Sequence, residues 1–268
     1  MVVSAGISLV SLQANAGSVF LSGHDSDFHA ALGSNSAGAQ NIINRALDFA
    51  RDGNTAPILL LQSGLANVAL GDHTDSEQGL IASGYAEGNA AGAFYVQVDT
   101  AQFLTTDLSL YSALFVPSDH GGSLTGDELQ ALFARRADIL SYVNAGGGLV
   151  AFAEDGIRTA ATIGPEAPNF GFAPLVNGSI ISSPGSATET GYTLTAFGTT
   201  LGLTLDDING NFSHKTFISL GGYEVVSLDA SGAPVSIAFR GTFVPLPAAI
   251  WMFAAAIVAL GARRRLRA

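Results

Sequence analysis

Residues 111–156 read YSALFVPSDHGGSLTGDELQALFARRADILSYVNAGGGLVAFAEDG and contain a complete strand–helix–strand unit. The apolar run 113–117 predicts a buried parallel strand. Thr125 precedes Glu128 by three residues, which is the capping-box spacing, and apolar residues follow at helical spacing, so a helix is expected to begin there. Three glycines are expected to end that helix, and the apolar run 149–153 predicts the second strand. Such a crossover joins two parallel strands, almost always with a right-handed connection.

The segments on either side of this unit predict one irregular stretch and several further strands and helices. Residues 163–190 are rich in Gly, Pro, Ser and Asn and are expected to form irregular covering structure. The other predicted elements are strands at residues 18–21, 58–61 and 94–98, helices at 39–51 and after Asp75, and a closing hairpin of strands 223–228 and 234–239. Strands alternating with helices predict an α/β fold with a doubly wound, mostly parallel sheet, that is, a flavodoxin-like three-layer sandwich.

Composition limits the kinds of protein this chain can be. An apolar content of 48% in 268 residues is ample for a substantial core. Residues 1–262 hold seven basic residues against all 22 acidic ones, a formal charge of about −15, so nucleic acid is not an expected partner. Cysteine is absent, which excludes disulfides, thiolate metal sites and cysteine nucleophiles, and which agrees with export.

Residues 1–16 have the pattern of a secretory signal peptide. Residues 2–12 are apolar and small, and Ala14-Asn15-Ala16 supplies a small-x-small cleavage pattern before Gly17. No basic residue precedes the apolar region, so the start codon could lie upstream, or the segment could be an ordinary buried strand. The sequence favours the signal peptide, with the Sec translocon and signal peptidase as the partners that export requires.

Residues 244–268 form a tail of three parts: a proline motif, an apolar span and an arginine cluster. Residues 246–262 carry no charge, and seventeen residues at about 1.5 Å rise approach the minimum for a transmembrane helix. The arginines that follow place the C-terminus in the cytoplasm and the body outside. A terminal helix buried in the core is the alternative. The proline motif consists of Val244, Pro245, Leu246, Pro247 and Ala248.

This tail resembles the VPLPA-type variant of the PEP-CTERM sorting signals of Gram-negative bacteria. The resemblance implies that an exosortase, a membrane transpeptidase-like enzyme, recognises and processes the proline motif. It also implies that the inner membrane holds the protein first, with the body in the periplasm, before delivery to the cell surface or its exopolysaccharide.

Residues 17–241 resemble the class I glutamine amidotransferase-like fold. The resemblance rests on the glycine turn, the apolar strand, a sharp elbow, a distal histidine and the closing strand pair. Enzymes of that family carry a cysteine nucleophile at the elbow, and the matching position here is Glu154, so glutaminase chemistry is excluded. The family's histidine would correspond to His214 in Asn211-Phe212-Ser213-His214.

Histidines and carboxylates follow several of the predicted strands. In open α/β sheets, ligands bind beyond the carboxyl ends of the strands, so we expect these side chains around one crevice if the first strand lies beside the central pair. Their convergence should raise some carboxyl pKa values unless a cation or the histidines offset it. The candidates are His24, Asp25, Asp27, His29, Asp119, His120, Glu154 and Asp155, with His214 added by the resemblance.

The chemistry of this cluster leaves two functions open. No cofactor is expected apart from a possible divalent metal. The histidines and carboxylates at residues 24–29 could ligate zinc, manganese or iron, and Asp119, His120 or Glu154 could complete the set. A loop whose side chains bond to turn amides and water is the alternative, since no spacing motif such as His-Glu-x-x-His is present. The sequence favours an exported surface or matrix protein whose body binds a ligand without catalysis. The alternative is an exported hydrolase that uses the strand-end histidines and carboxylates, with or without a metal.

Overall fold

The computed structural model describes residues 17–62, 77–118, 124–153, 170–185 and 188–243. The strands are β1 (Gly17–Ser22), β2 (Ile58–Leu61), β3 (Ala86–Glu87), β4 (Phe94–Val98), β5 (Ala113–Val116), β6 (Gly148–Ala151), β7 (Ile180–Pro184), β8 (Thr193–Leu194), β9 (Lys215–Leu220), β10 (Glu224–Leu228) and β11 (Pro234–Gly241). The helices are α1 (Ser26–Leu32), α2 (Ser36–Arg51), α3 (Glu77–Ala82), α4 (Thr100–Phe103), α5 (Gly126–Ala134), α6 (Arg136–Asn144), α7 (Ala196–Thr200) and α8 (Leu205–Ile208), with a 3-10 turn at Leu108–Leu110.

One large sheet organises the described residues, in the order β3-β4-β2-β5-β6-β1-β11-β10-β8. The strands from β3 to β1 in this order are parallel, and β11, β10 and β8 continue the sheet in antiparallel pairing. The predicted α/β class with a mostly parallel sheet is therefore confirmed. The order also places β1 directly beside β6, and β6 beside β5, as the crevice hypothesis requires.

The central strands are buried on both faces, which explains their uninterrupted apolar sequences. Along β1, Val19 and Leu21 join a core that contains apolar residues of α5 and α6, whereas Phe20 joins a second core with the apolar face of α2. Helices thus cover both faces of the sheet. The chain forms the three layers that the alternation of elements predicts.

The predicted start of the central helix is confirmed, but its continuity is not. The Thr125 amide donates to Glu128 Oε2 at 2.7 Å, and the Glu128 amide donates to Thr125 Oγ1 at 3.3 Å. The helix is interrupted at Arg135, which lies between the end of α5 and the start of α6. The Arg135 guanidinium donates to the carbonyls of Phe103 and Thr106, contacts made outside the helix.

Three other expectations need correction. The polar segment after β1 is partly helical, because α1 begins at Ser26. Part of the segment expected to be irregular forms β7, which pairs with β9 in a small antiparallel sheet. The β10–β11 hairpin does not end the large sheet, since β11 pairs with β1 on one side and β8 continues the sheet beyond β10.

Several predicted features lie outside the described residues. They are the signal peptide at residues 1–16, the tail at 244–268, the helix cap Asp75, and the site candidates Asp119, His120, Glu154 and Asp155. Among the residues that the structure does describe, none of the helices is long and apolar enough to cross a membrane.

Candidate metal centre

The end of β1 is crossed by a segment almost two hundred residues later in the chain. His24 and Ser213 form an isolated antiparallel bridge, and the amides of His214 and Lys215 donate to the Gly23 carbonyl at 2.7 and 3.1 Å. A Cβ on Gly23 would lie 1.8 Å from the Lys215 carbonyl oxygen. The two backbones can therefore approach this closely only because residue 23 has no side chain.

This crossing sends neighbouring side chains to opposite sides, since successive residues of an extended chain alternate. His24 and Ser213 face one side, where the His24 ring lies 5.1 Å from the ring of Tyr192 and Ser213 Oγ lies 3.1 Å from the Tyr192 hydroxyl. Asp25 and His214 meet on the other side. His24 therefore lies on the side opposite to His214, which contacts the Asp25 carboxylate.

Asp25 lies between two imidazoles. Its Oδ1 is 3.1 Å from His29 Nε2, and its Oδ2 is 3.2 Å from His214 Nε2. The side chain of Asp25 is 1% exposed, that of His29 10% and that of His214 20%. Helix α1 supplies the first contact, because residues four apart lie on the same face of a helix. One buried carboxylate is thus shared by two histidines from distant parts of the chain.

The two imidazoles determine the ionisation of Asp25. Burial alone would raise its pKa, but the contacts with His214 and His29 together outweigh burial and hold the pKa well below its usual range. Burial alone would lower the pKa of His29, but Asp25, with smaller effects of Asp27 and Glu189, raises it above its ordinary value. Oδ1 of Asp25 makes no well-aligned hydrogen bond within the described residues, so its contact with His29 is electrostatic. At neutral pH the centre therefore holds a buried carboxylate.

The spacing of these three groups suits a transition metal. One ligand atom from each of Asp25, His29 and His214 lies within 4.8 Å of the others. Zinc bonds of about 2.0–2.1 Å in tetrahedral geometry put neighbouring ligand atoms about 3.3 Å apart, close to the two contacts of Asp25. Imidazole and carboxylate together favour zinc, iron or manganese, whereas calcium and magnesium prefer oxygen ligands throughout. The three groups therefore lie close enough together to hold one ion between them.

The second ring nitrogen of His29, Nδ1, lacks a hydrogen bond within the described residues. Ligating histidines usually donate their other N–H to a carboxylate, carbonyl or water. Nδ1 of His29 is buried and has no hydrogen-bond partner in the part of the chain that the structure describes. The orientation of this ring is set by helix α1 and by Asp25.

His24 lies outside the cluster and is held by other contacts. Its Nδ1 lies 3.0 Å from the Phe212 carbonyl oxygen, so Nδ1 carries the proton and donates. Burial lowers the pKa of His24 to about 4, against a smaller raising effect of this hydrogen bond. His24 is therefore neutral at physiological pH, and its position indicates a structural role.

Asp27 is also held by contacts outside the group of Asp25, His29 and His214. Its Oδ2 accepts hydrogen bonds from the amide and the hydroxyl of Ser118, just beyond the end of β5. At the end of β6, the Ala153 amide donates to the His24 carbonyl at 3.1 Å. The carboxyl ends of β5 and β6 thus meet residues 24–27, as the strand order predicts. The share of Asp119, His120, Glu154 and Asp155 in this crevice stays a prediction.

One feature of the sequence indicated part of the observed group of Asp25, His29 and His214. Asp25 and His29 are spaced to share a helix face, but this spacing identifies a ligand pair only once the segment is known to be helical. His214 was indicated only by the resemblance of the body to the amidotransferase-like fold.

Comparison with protein-family models, curated protein sequences and solved structures finds no match for the chain. The geometry of the described residues is therefore the basis for inferring the chemistry of the centre.

Proposed function

We propose that this chain is an exported cell-surface protein whose α/β body binds a divalent transition metal, with zinc the best fit. Asp25, His29 and His214 are the ligands. The observation that carries the proposal is the convergence of two imidazole Nε2 atoms on the two oxygens of one buried carboxylate.

An internal ion pair is the competing explanation for this arrangement. Removing a carboxylate from water is costly, and the attraction between buried charges often fails to offset that cost, so buried ion pairs are weak sources of stability. A metal ion offers a stronger compensation, because it bonds to all three groups at once. The acidic body would also raise the local concentration of cations. These considerations favour a metal at the centre.

The export and sorting of the protein belong to the same proposal. They are supported by the sequence patterns of residues 1–16 and 244–268. A chain without cysteine cannot offer thiolate ligands, so histidines and carboxylates must provide any transition-metal site.

The finer fold assignment, a body of the class I glutamine amidotransferase-like type, is also proposed. It is supported by the parallel order β5-β6-β1, by the closing antiparallel strands and by the position of His214 beside the strand ends.

Zinc binding by the purified full chain in detergent tests the proposal. We expect one zinc per chain after equilibrium dialysis, measured by elemental analysis, with the affinity from calorimetry. His214→Gln and Asp25→Asn should weaken binding by more than about 100-fold, since even the loss of an outer-shell partner costs 10- to 100-fold. Asp206→Asn, which removes an exposed carboxylate of α8, is the matched control and should bind normally. Unchanged binding by the His214 variant would reject the site.

A further inference from the structure

A cavity of about 670 Å³ lies at the end of the sheet opposite to the candidate metal centre. Its lining comes from residues within 51–54, 107–111 and 135–147, and these segments precede the neighbouring parallel strands β2, β5 and β6. The candidate metal centre instead follows the carboxyl end of β1, which is parallel to β6. The volume is within the range of about 300–1,000 Å³ that small-molecule sites have. This cavity is therefore a candidate site that is separate from the metal centre.

Hydrogen bonds fix the walls of the cavity. Arg51 Nη2 donates to the carbonyls of Ala56 and Gly92 at 3.0 and 2.8 Å. The Tyr142 hydroxyl donates to the Tyr111 carbonyl at 3.1 Å, which ties α6 to the segment before β5. Because the protein itself holds these side chains, a ligand would lose little affinity to the cost of ordering them.

The charges around the cavity are balanced. Arg135 Nε donates to Asp138 Oδ2 at 3.0 Å, and Asp52 Oδ1 lies 2.9 Å from Arg240 Nη1. An anion in the cavity would meet these carboxylates, and a cation would meet the guanidinium groups of Arg51 and Arg135. Because like charges in contact are unfavourable, the lining favours a neutral ligand.

Two of the charged groups keep hydrogen-bonding positions for such a ligand. Oδ1 of Asp107 accepts from the hydroxyl and the amide of Ser109 at 2.7 and 3.0 Å. These bonds, with a smaller contribution from Arg135, lower the pKa of Asp107, so its carboxylate is ionised at neutral pH. Within the described residues, Oδ2 of Asp107 accepts no hydrogen bond and Nη2 of Arg135 donates none. The cavity therefore offers a strong acceptor and a strong donor together.

Polar groups of this kind suit a sugar. A hydroxyl group both donates and accepts, so adjacent sugar hydroxyls can accept from Arg135 and donate to Asp107 without adding charge. The half-buried ring of Tyr111 also lines the cavity and offers an apolar surface to the C–H groups of a sugar ring. The rim is open to solvent, since the side chain of Asp138 is 61% exposed. We propose that this cavity binds a neutral sugar, either alone or as one unit of a longer glycan.

Binding of the purified full chain to an array of neutral and acidic glycans, in a detergent without a sugar headgroup, tests this proposal. We expect binding to neutral glycans, and calorimetry with the one that binds best gives the affinity. Asp107→Asn keeps the Oδ1 acceptor for Ser109 but replaces the Oδ2 acceptor with a donor. It should weaken binding about tenfold, the effect of losing one hydrogen bond to a charged group. Asp206→Asn removes an exposed carboxylate outside the cavity and is the control, which should bind normally.

A matched pair of variants at Ser141 tests whether the cavity itself holds the sugar. Ser141 is exposed on α6 and lines the cavity. Ser141→Trp should fill part of the cavity and weaken binding more than tenfold, whereas Ser141→Ala leaves the cavity open and should bind normally. Both variants should keep the zinc affinity of the wild type, because the metal centre lies at the other end of the sheet.

Three outcomes would overturn the proposal. They are binding to no neutral glycan, even if acidic glycans bind, glycan binding that Ser141→Trp leaves unchanged, and glycan binding that Asp107→Asn leaves unchanged. The sugar site does not depend on the proposed metal site. Failure to bind glycans would therefore leave the zinc proposal standing, and failure to bind zinc would leave the sugar site standing.

Discussion

Asp27 accepts two hydrogen bonds from Ser118 on a single oxygen, with Oδ2 at 2.9 Å from the backbone nitrogen and 3.0 Å from the hydroxyl. Both residues are fully buried. The contact ties α1 to the end of β5, two strands away from β1 in the sheet. Because α1 also carries His29, this bond helps to hold a proposed metal ligand in place.

Asp27→Ala should lower the free energy of unfolding by about 3 kcal/mol, because it leaves the buried Ser118 amide without this acceptor. Ser118→Ala removes only the hydroxyl and should cost about 1 kcal/mol. Urea unfolding of both single variants and of the double variant measures the coupling between them. Strictly additive losses would show that the bond between the Ser118 hydroxyl and Asp27 contributes nothing.

Gly23→Ala should destabilise the fold and disturb the metal centre together. The added methyl group would meet the Lys215 carbonyl, and forced overpacking of this kind should cost about 3 kcal/mol. Gly53→Ala is a suitable control, because Gly53 has a φ of 80° but open space around it, so the cost there is only conformational, about 1–2 kcal/mol. Thermal unfolding and zinc titration would distinguish the two. A Gly23 variant with wild-type zinc affinity would contradict the role of the crossing.

Asp229 should make the fold sensitive to acid. Its Oδ1 accepts from the amides of Ser231 and Ala233 at 2.8 and 2.9 Å in the turn between β10 and β11. Burial alone would raise its pKa, but these bonds and the Ser231 hydroxyl outweigh burial and lower the pKa. The carboxylate therefore contributes stability that is present above its unfolded pKa near 4 and is lost as pH falls through the lower folded value.

Asp229→Asn should remove this dependence and lower stability mainly at neutral pH. Unfolding measured between pH 2 and pH 7 checks the prediction, with Asp48→Asn, at an exposed site, as control. Parallel pH profiles for wild type and the Asp229 variant would show that the turn is not responsible.

His24→Gln and His214→Gln should differ in their effect on zinc binding. His24 is buried against Tyr192 and donates to a backbone carbonyl, so its replacement should cost about 1–2 kcal/mol of stability but leave zinc binding intact. The His214 variant should lose zinc, and it should also destabilise the metal-free protein, because it removes a partner of the buried Asp25 carboxylate. Zinc content and urea unfolding of the two variants check this. Loss of zinc from a folded His24 variant would make His24 a ligand.

Deletion of residues 244–268 should release the body from the membrane fraction as a secreted protein, because residues 246–262 are the proposed anchor. Fractionation of a Gram-negative host that has an exosortase measures the outcome. The double variant Pro245→Ala with Pro247→Ala should instead accumulate as the full-length membrane form. A truncated chain that stayed in the membrane fraction would disprove the anchor.

The parts of the fold that depend on local sequence were predictable. The capping box at Thr125 is formed by residues three apart, and the buried strands β5 and β6 are short apolar runs bounded by polar or glycine residues. Because parallel strands end at one edge, the same patterns also predicted that residues after β1 and β5 lie close together, as Asp27 and Ser118 do.

The parts that depend on distant pairing were not predictable. Asp25 meets His214, while His24 does not, because the bridge to Ser213 fixes which side chains face each other. That bridge joins residues 189 positions apart, and no local periodicity encodes it. Strands β7 and β9 were missed for a similar reason, since each pairs with the other away from the large sheet.

The register of β1 with β11 pairs Gly17 with Gly241, so the two ends of the described body emerge side by side. The candidate metal centre follows the opposite end of β1, a distance of about 20 Å for six residues at about 3.3 Å each. If residues 244–268 anchor the body, as proposed, this centre would face away from the anchoring surface. Metal ions in the surrounding medium could then reach it without steric hindrance from the tether.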